Sequence, residues 1–401
     1  MDKLWDIVIV GGGLGGLSLA AELAAPQFAH LSVLVLEKRT HYERDRTWSY
    51  WTGLPHRYSH LERQHWHRWS VSLGGTVHTQ SSDACAYATL DADAFYTAAV
   101  QTIQAAPHIE LRMDSAVAAI DKTNGTYAVQ LQQGTLLQAR TVFDARPAPA
   151  KLPDSLVQQF AGWQVNTEHD VFDTSCVQLM AFEPHARGLH FWYVLPYSPR
   201  CALVESTWVS PASWHPDYDT ELKQYLARLC ASTAYTVDYK EQGVLNLQDA
   251  VPTAHSAQPA GLGRKAGTLR PATGYAFIDT LNHAAQLAQS LAQSLAQSLA
   301  QSPAGPSSAV QAYSGAAWQP TAFVRPKVEH WMDAVFLNVL ASDWSRSPEY
   351  FMQMFGSVNA QTTVDFLTGK ASWLQRLRIM RALPTMPFAR AALSRTLGER
   401  V

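Results

Sequence analysis

The sequence predicts an α/β protein. A Rossmann-like α/β domain comes first, an antiparallel β-sheet domain is inserted into it, and the C-terminal region is helical. Three patterns predict this. A strand, a glycine turn, a helix and a second strand open the chain; period-two alternation recurs over residues 163–208; residues 309–401 read as helical. The 401 residues suit two or three domains. Only 16% of residues are charged, 10% are aromatic and 13 are Trp, which favours a large apolar core or pocket over disorder.

Residues 5–10 form a nearly continuous apolar run, as a buried parallel strand requires. Gly11-Gly12-Gly13-Leu14-Gly15-Gly16 follows, then an Ala- and Leu-rich helix over 17–25. Residues 31–36 read as a second buried strand ending at Glu37, completing a βαβ unit. Residues 40–67 lack a regular pattern but are dense in Trp, Tyr, His and Arg, which suits a loop lining a site. Residues 91–104 read as a helix with Asp91 or Asp93 as N-cap. Gln133-Gly134 between two alternating segments marks a hairpin, and residues 141–145 return as a strand to the first sheet.

A Gly-rich stretch at 260–274 leads into a helix from Tyr275. That helix runs into the tetrad Leu-Ala-Gln-Ser, repeated to Ser302. Its leucines, 287, 291, 295 and 299, drift by ~40° per repeat. A drifting stripe predicts an exposed helical extension rather than a partner-binding face, ended by Pro303 and Pro306. The resulting domain division is 1–150 with 243–310 for the discontinuous FAD-binding domain, 151–242 for the substrate-binding sheet, and 311–401 for the helical region.

Several classes are disfavoured. A net charge of -2 provides no field for nucleic acid. Four scattered cysteines give neither a disulfide framework nor a zinc motif, and suggest a reducing compartment. No apolar run approaches the ~18 residues of a membrane span, and the early first strand leaves no room for a signal peptide. Among 15 His there is no G-x-S-x-G elbow. His56, His60, His65 and His67 lack suitable partners for a metal, so no metal site is expected and they read as a polar rim or surface.

Gly11-x-Gly13-x-x-Gly16 with Glu37 downstream is the strongest local motif. Gly11 permits the turn, Gly13 lets backbone approach a pyrophosphate, and Gly16 lets helix pack on strand. The helix N-terminus attracts phosphate, and Glu37 can accept from ribose hydroxyls. The motif alone leaves NAD and FAD open. The returning strand ending at Asp144-Ala145-Arg146, and the glycines before the helix at Tyr275, lean toward FAD. Glu205 lies alone in an apolar strand-like stretch. Buried, it would keep its proton and could donate it; facing outward, it would be inert.

Three further segments resemble the lycopene cyclase family. Ala266-Gly267 through Arg270-Pro271-Ala272-Thr273-Gly274-Tyr275 is similar to A-G-x-x-x-P-[ST]-T-G-Y. Asp45-Arg46-Thr47-Trp48-Ser49-Tyr50-Trp51 is similar to D-x-T-W-[SC]-F-W. Trp192-Tyr193-Val194-Leu195-Pro196 with Ala202-Leu203-Val204-Glu205-Ser206-Thr207 is similar to Y-x-L-P-L-S-P…A-L-[IV]-E-x-T. Gly243-Val244-Leu245 sits where the family has G-V-L-P. Asn246, Ser206 and Ala272 depart from the pattern, and the tetrad repeat is foreign to it.

The resemblance implies an isomerase of carotenoid biosynthesis that closes the acyclic ends of lycopene to β-ionone rings without net oxidation. It implies Glu205 as catalytic acid and a reduced FAD with NAD(P)H as reductant. Gly11, Gly13, Gly16, Glu37, Gly267, Pro271, Thr273, Gly274 and Tyr275 would hold the cofactor. Trp48, Tyr50, Trp51, Trp192 and Tyr193 would line the substrate pocket and could stabilise a cation through their π faces. A polyene lipid substrate implies a cytoplasmic enzyme bound peripherally to the inner membrane face. Residues 370–400 mix seven cations with Trp373, Leu374, Leu377, Met380 and Met386, as an interfacial helix would. The alternatives are a flavin monooxygenase or reductase acting on a polyprenyl-like lipid, and a non-catalytic flavin- or lipid-binding protein.

Overall fold

The computed structural model describes residues 3–53, 55–147, 155–231, 233–247, 259–301 and 318–396. Strand β1 (Leu4–Val10), helix α1 (Leu14–Leu23) and strand β2 (Val33–Leu36) are the expected βαβ unit. Next come β3 (Thr47–Trp51), β4 (Gln64–Trp66), β5 (Arg68–Leu73), β6 (Thr76–Ser81), β7 (Tyr87–Asp91) and α2 (Ala92–Gln104). Strands β8 (Ile109–Arg112), β9 (Val117–Thr123), β10 (Thr126–Leu131) and β11 (Leu136–Asp144) follow.

The first sheet has the order β8-β2-β1-β11-β10-β9. Its four strands from β8 to β11 are parallel, and β9 and β10 pair antiparallel beyond them. The hairpin expected at Gly134 joins β10 to β11, with that glycine at φ +91°. Val8, Val10, Leu34, Leu36 and Val129 cover one face of the sheet, while Ile7, Ile9, Val33 and Val35 pack against the helices on the other. Residues 40–67 are more regular than expected, because β3 and β4 flank β7 in a small antiparallel sheet.

The second half supplies β12 (Leu156–Thr167), β13 (Val177–Glu183), β14 (Leu189–Ser198), β15 (Cys201–Pro211), α3 (Tyr218–Leu229), β16 (Tyr235–Asn246), the short β17 (Ala260–Gly261) and α4 (Phe277–Gln301). The second sheet has the order β16-β12-β15-β14-β13-β5-β6. Two features depart from the expected division at 150 and 242. Residues 68–81 join this sheet through a parallel β5–β13 pairing, and β16 continues past 242 along β12 to Asn246. Backbone pairing across the whole sheet sets these limits, and neither loop composition nor motif spacing reveals it. Helix α3 covers one face through Leu222 and Leu226.

Two sequence expectations are corrected here. Leu287, Leu291 and Leu295 are buried in the main core rather than on an exposed extension. Two steps of ~40° keep three leucines within the ~100° width of a core-facing stripe. Trp318 Nε1 also donates to Ser290 Oγ at 3.1 Å, inside the repeat. Leu299, Pro303 and Pro306 lie outside the described side chains. The C-terminal region is not helical throughout: residues 318–326 carry no helix, and helices then run Lys327–Ser342, Ser347–Ser357, Ala360–Leu367, Trp373–Ala382 and Thr385–Thr396. Residues 309–317 and 397–401 fall outside the described residues.

A buried charged seam fastens these helices to the body. Arg270, in the turn before α4, donates to Asp333 at 3.1 Å and to the Phe366 carbonyl. Arg376 donates to Glu329 at 3.0 Å, and Arg325 reaches Asp279 at 2.7 Å. Each of these cations is buried or nearly so, where a missing partner would leave a costly uncompensated charge.

Candidate active site

A cavity of about 770 Å³ extends from the C-terminal ends of β1 and β2 to the inner face of the second sheet. Its first end is polar and backbone-lined. Gly11 adopts φ +102°, and a Cβ on Gly16 would stand 1.9 Å from the Gly11 carbonyl oxygen, so only glycine fits there. Gly13 caps α1 in an extended conformation, and a Cβ on it would meet nothing within 4 Å. That open space is the cradle into which the first-turn N–H groups of α1 face.

Glu37 accepts from the Gly12 N–H at 2.7 Å, the Arg39 N–H at 2.9 Å and the Arg39 guanidinium at 3.1 Å. Burial alone would raise its pKa, but these donors and the Arg39 charge outweigh it and hold the carboxyl below its ordinary value. Arg39 and Tyr42 both also donate to the Gly12 carbonyl, bracing the glycine turn.

The opposite wall comes from the segment before α4. Gly263, at φ +60°, lies so close to Gly15 that a Cβ on Gly15 would be 3.2 Å from its nitrogen. Thr273, Gly274 and Tyr275 line the cavity. Gly267 and Pro271 do not. Gly267 closes a short 3₁₀ turn at φ +85°, and Pro271 is buried beside Arg270. The approach of Gly15 to Gly263 is a feature that sequence reasoning missed; the extra glycine in each motif was its only trace.

The second end is apolar. Phe160, Leu179, Phe191, Tyr193 and Val209 form its floor, and Leu337, Leu340, Phe351, Phe355 and Leu367 of the C-terminal helices close it. Glu205 opens into this space from β15. Burial pushes its carboxyl well above the ordinary carboxylate range, and the charge and hydrogen bond of neighbouring Glu241 push in the same direction. Both effects favour the protonated form of this acid.

Glu241 is the residue the sequence did not disclose. Gly162 of β12 pairs with Glu205 on one side and Glu241 on the other. In-register neighbours point to one face of a sheet. The missing side chain at Gly162 therefore lets the two carboxyls lean together: a Cβ there would lie 2.7 Å from Glu205 Cγ.

Of the five aromatic candidates, Trp48 and Tyr193 line the cavity. Tyr193 donates to the Tyr87 hydroxyl at 3.0 Å. The other three are placed elsewhere. Tyr50 stacks on Phe277 at 4.7 Å and donates to Glu62. Trp51 packs edge-on against Trp69 and Tyr87. Trp192 stacks on Tyr225 at 4.0 Å, beneath α3. Strand alternation forces the last result, since Trp192 and Tyr193 must face opposite sides. Asp91 does occupy the N-cap position of α2, but its carboxylate binds Arg44 and Arg63 instead of helix N–H groups. Among the described residues no group of three or more His, Cys, Asp or Glu could hold a metal ion, and His56, His60, His65 and His67 stand outside the cavity lining.

Residues 6–393 match the sequence model of the family described as lycopene cyclase protein. Over 300 residues the chain is 29% identical to a lycopene beta-cyclase of Paracoccus sp. (strain N81106 / MBIC 01143), covering 71% of this chain and 72% of that protein. Two solved structures share its fold. A geranylgeranyl bacteriochlorophyll reductase-like protein from Thermoplasma acidophilum superposes with a TM-score of 0.62 at 14% identity, over 97% of this chain and 99% of the other. A flavoprotein/dehydrogenase from Cytophaga hutchinsonii gives 0.57 at 12% identity, over 99% and 100%.

Gly162→Ala is expected to destabilise the protein by about 1–3 kcal/mol, because the added methyl overpacks against Glu205. In a Glu205→Ala background the same change should cost at least about 1 kcal/mol less. Urea unfolding of the four proteins measures this coupling; an equal cost in both backgrounds would place the clash elsewhere.

Proposed function

The chain belongs to the lycopene cyclase family, and we propose that it is a flavin-dependent lycopene cyclase forming β-ionone rings by acid catalysis without net oxidation. The observation that carries this reading is one buried carboxyl, Glu205, facing an apolar cavity, where burial and neighbouring Glu241 push it well above the carboxylate range. An exposed carboxylate could not protonate an alkene; a desolvated acid beside the bound chain can.

Glu205 gives its proton to one carbon of the terminal double bond. The electron pair of an internal double bond captures the resulting cation and closes the ring. A neighbouring ring proton then leaves and its bonding electrons restore a double bond, so the molecular formula is unchanged. Phe160, Phe191 and Tyr193 exclude water that would quench the cation, and their π faces favour positive charge.

The cradle fits FAD. Gly11 and Gly13 would leave backbone accessible to a pyrophosphate, Glu37 would accept from ribose hydroxyls, and Thr273, Gly274 and Tyr275 would offer the second wall. Reduced by NAD(P)H, the bound flavin would supply negative charge that stabilises a nearby cation. We assign cofactor binding to the first sheet with α1 and α4, and substrate binding to the second sheet with the helices that close it.

No helix among the described residues is long and apolar enough to cross a membrane. Trp373, Leu374, Leu377, Met380 and Met386 are exposed next to Arg378, Arg381 and Arg390. This supports peripheral binding to the inner face of an anionic membrane from the cytoplasm, which gives access to a polyene lipid.

Glu205→Gln should fold and bind flavin normally while losing turnover by roughly 10²-fold or more. In D₂O the wild-type product should carry one solvent deuterium per ring, and anaerobically one charge of reductant should support many turnovers. Product lacking deuterium, or stoichiometric reductant loss, would favour a redox reaction on a polyprenyl-like lipid. Gly13→Val fills the cradle, so the purified variant should be colourless; stoichiometric flavin in it would sink the cofactor assignment. Serine at 373, 374 and 377 together should leave the fold intact and weaken binding to anionic liposomes, most visibly at low salt. Unchanged binding would assign these residues no membrane role.

A further inference from the structure

We propose that Glu241 is a positioning residue that shares a single proton with Glu205, making the two carboxyls one titrating unit. The argument rests on geometry and extends the cyclase reading. Both carboxyls stand on one face of three adjacent strands, across the glycine gap at Gly162. Their environments differ. Glu205 opens into the apolar cavity, whereas Glu241 is absent from its lining.

Glu241 Oε2 accepts from the Thr47 hydroxyl at 2.9 Å and the Tyr239 hydroxyl at 2.8 Å. Burial pushes the Glu241 carboxyl up to about 7 against these two donors, which favour its anion; Glu205 has no such donors among the described residues and is pushed well above the carboxylate range, so the shared proton resides on Glu205, which donates to Glu241. Tyr193 of β14 stands beside Glu205 on its own face of the sheet, and Tyr218 of α3 feels its charge from the opposite face; both are neutral. Around Glu241 stand Tyr197 of β14, Arg44 and Asp91. Arg44 lies 3.8 Å above the Tyr239 ring and pairs with Asp91 at 3.1 Å, where Asp91 also meets Arg63. This partly exposed cluster connects the pair to solvent.

In the reaction the proton leaves the Glu205 oxygen for the substrate, and two adjacent carboxylates remain. Their mutual repulsion makes the pair a strong base, suited to recover the proton released when the ring double bond forms. The acid is thereby regenerated with no net gain or loss of protons, and exchange through the partly exposed cluster between turnovers replaces the recovered proton with one from solvent.

The test is a pH titration of protonated-carboxyl infrared bands in the flavin-loaded protein, with no substrate, alongside the pH dependence of kcat/KM. Wild type should lose its carboxyl protons in two steps. Glu241→Gln removes the neighbouring negative charge, so the band that is absent in Glu205→Gln should deprotonate about one pH unit or more lower. The alkaline limb of kcat/KM should move down with it. Thr47→Val removes a donor from the Glu241 anion and should move the lower step upward; it serves equally if Glu241→Gln fails to fold. An unmoved Glu205 titration in Glu241→Gln, or an unmoved lower step in Thr47→Val, overturns the pairing. The infrared result stands whether or not rings form, so failure of the cyclase reading and failure of the pair are distinguishable.

Discussion

The apolar end of the cavity depends on Arg270. Its guanidinium sits in the turn that also presents Thr273, Gly274 and Tyr275, and it holds Asp333 and the Phe366 carbonyl. Asp333 lies on the helix that delivers Leu337 and Leu340, and Phe366 directly precedes Leu367. One buried cation thus ties the cofactor-side turn to the helices that close the substrate side. Water exclusion around Glu205, and with it the upward push of burial on that carboxyl, follows from this attachment. The two halves of the site are in this sense one construction.

The local parts of the site were legible in the sequence. The glycine turn and Glu37 lie within one βαβ unit, and their spacing is dictated by how backbone, helix and phosphate must approach. Glu205 was legible as an isolated acid in an apolar strand. Glu241 was not, because its meaning arises only when β12 inserts between β15 and β16 and sets the register at Gly162. No local pattern encodes the pairing of strands so distant in sequence. The aromatic candidates illustrate the same limit. Trp192 and Tyr193 share a motif, yet pleating sends one beneath α3 and the other into the cavity.

Composition anticipated the economy of charge. With few charged residues overall, the protein concentrates many of its buried ones in two clusters, the Arg270–Asp333 seam and the Glu205–Glu241 pair. The two differ in sign logic. The seam balances cation with anion and is inert. The pair sets like against like, which is tolerable only while one proton stays between them.

The tetrad repeat of α4 has a consequence for how this chain can vary between generations. Its units are identical, so gaining one anywhere within the repeat produces the same sequence as adding one at its far end. The leucines at 287, 291 and 295 and the serine at 290 would keep their neighbours, and the helix would simply grow by ~6 Å beyond them. A change in repeat number would thus alter the length of the helix without altering the register of its buried part.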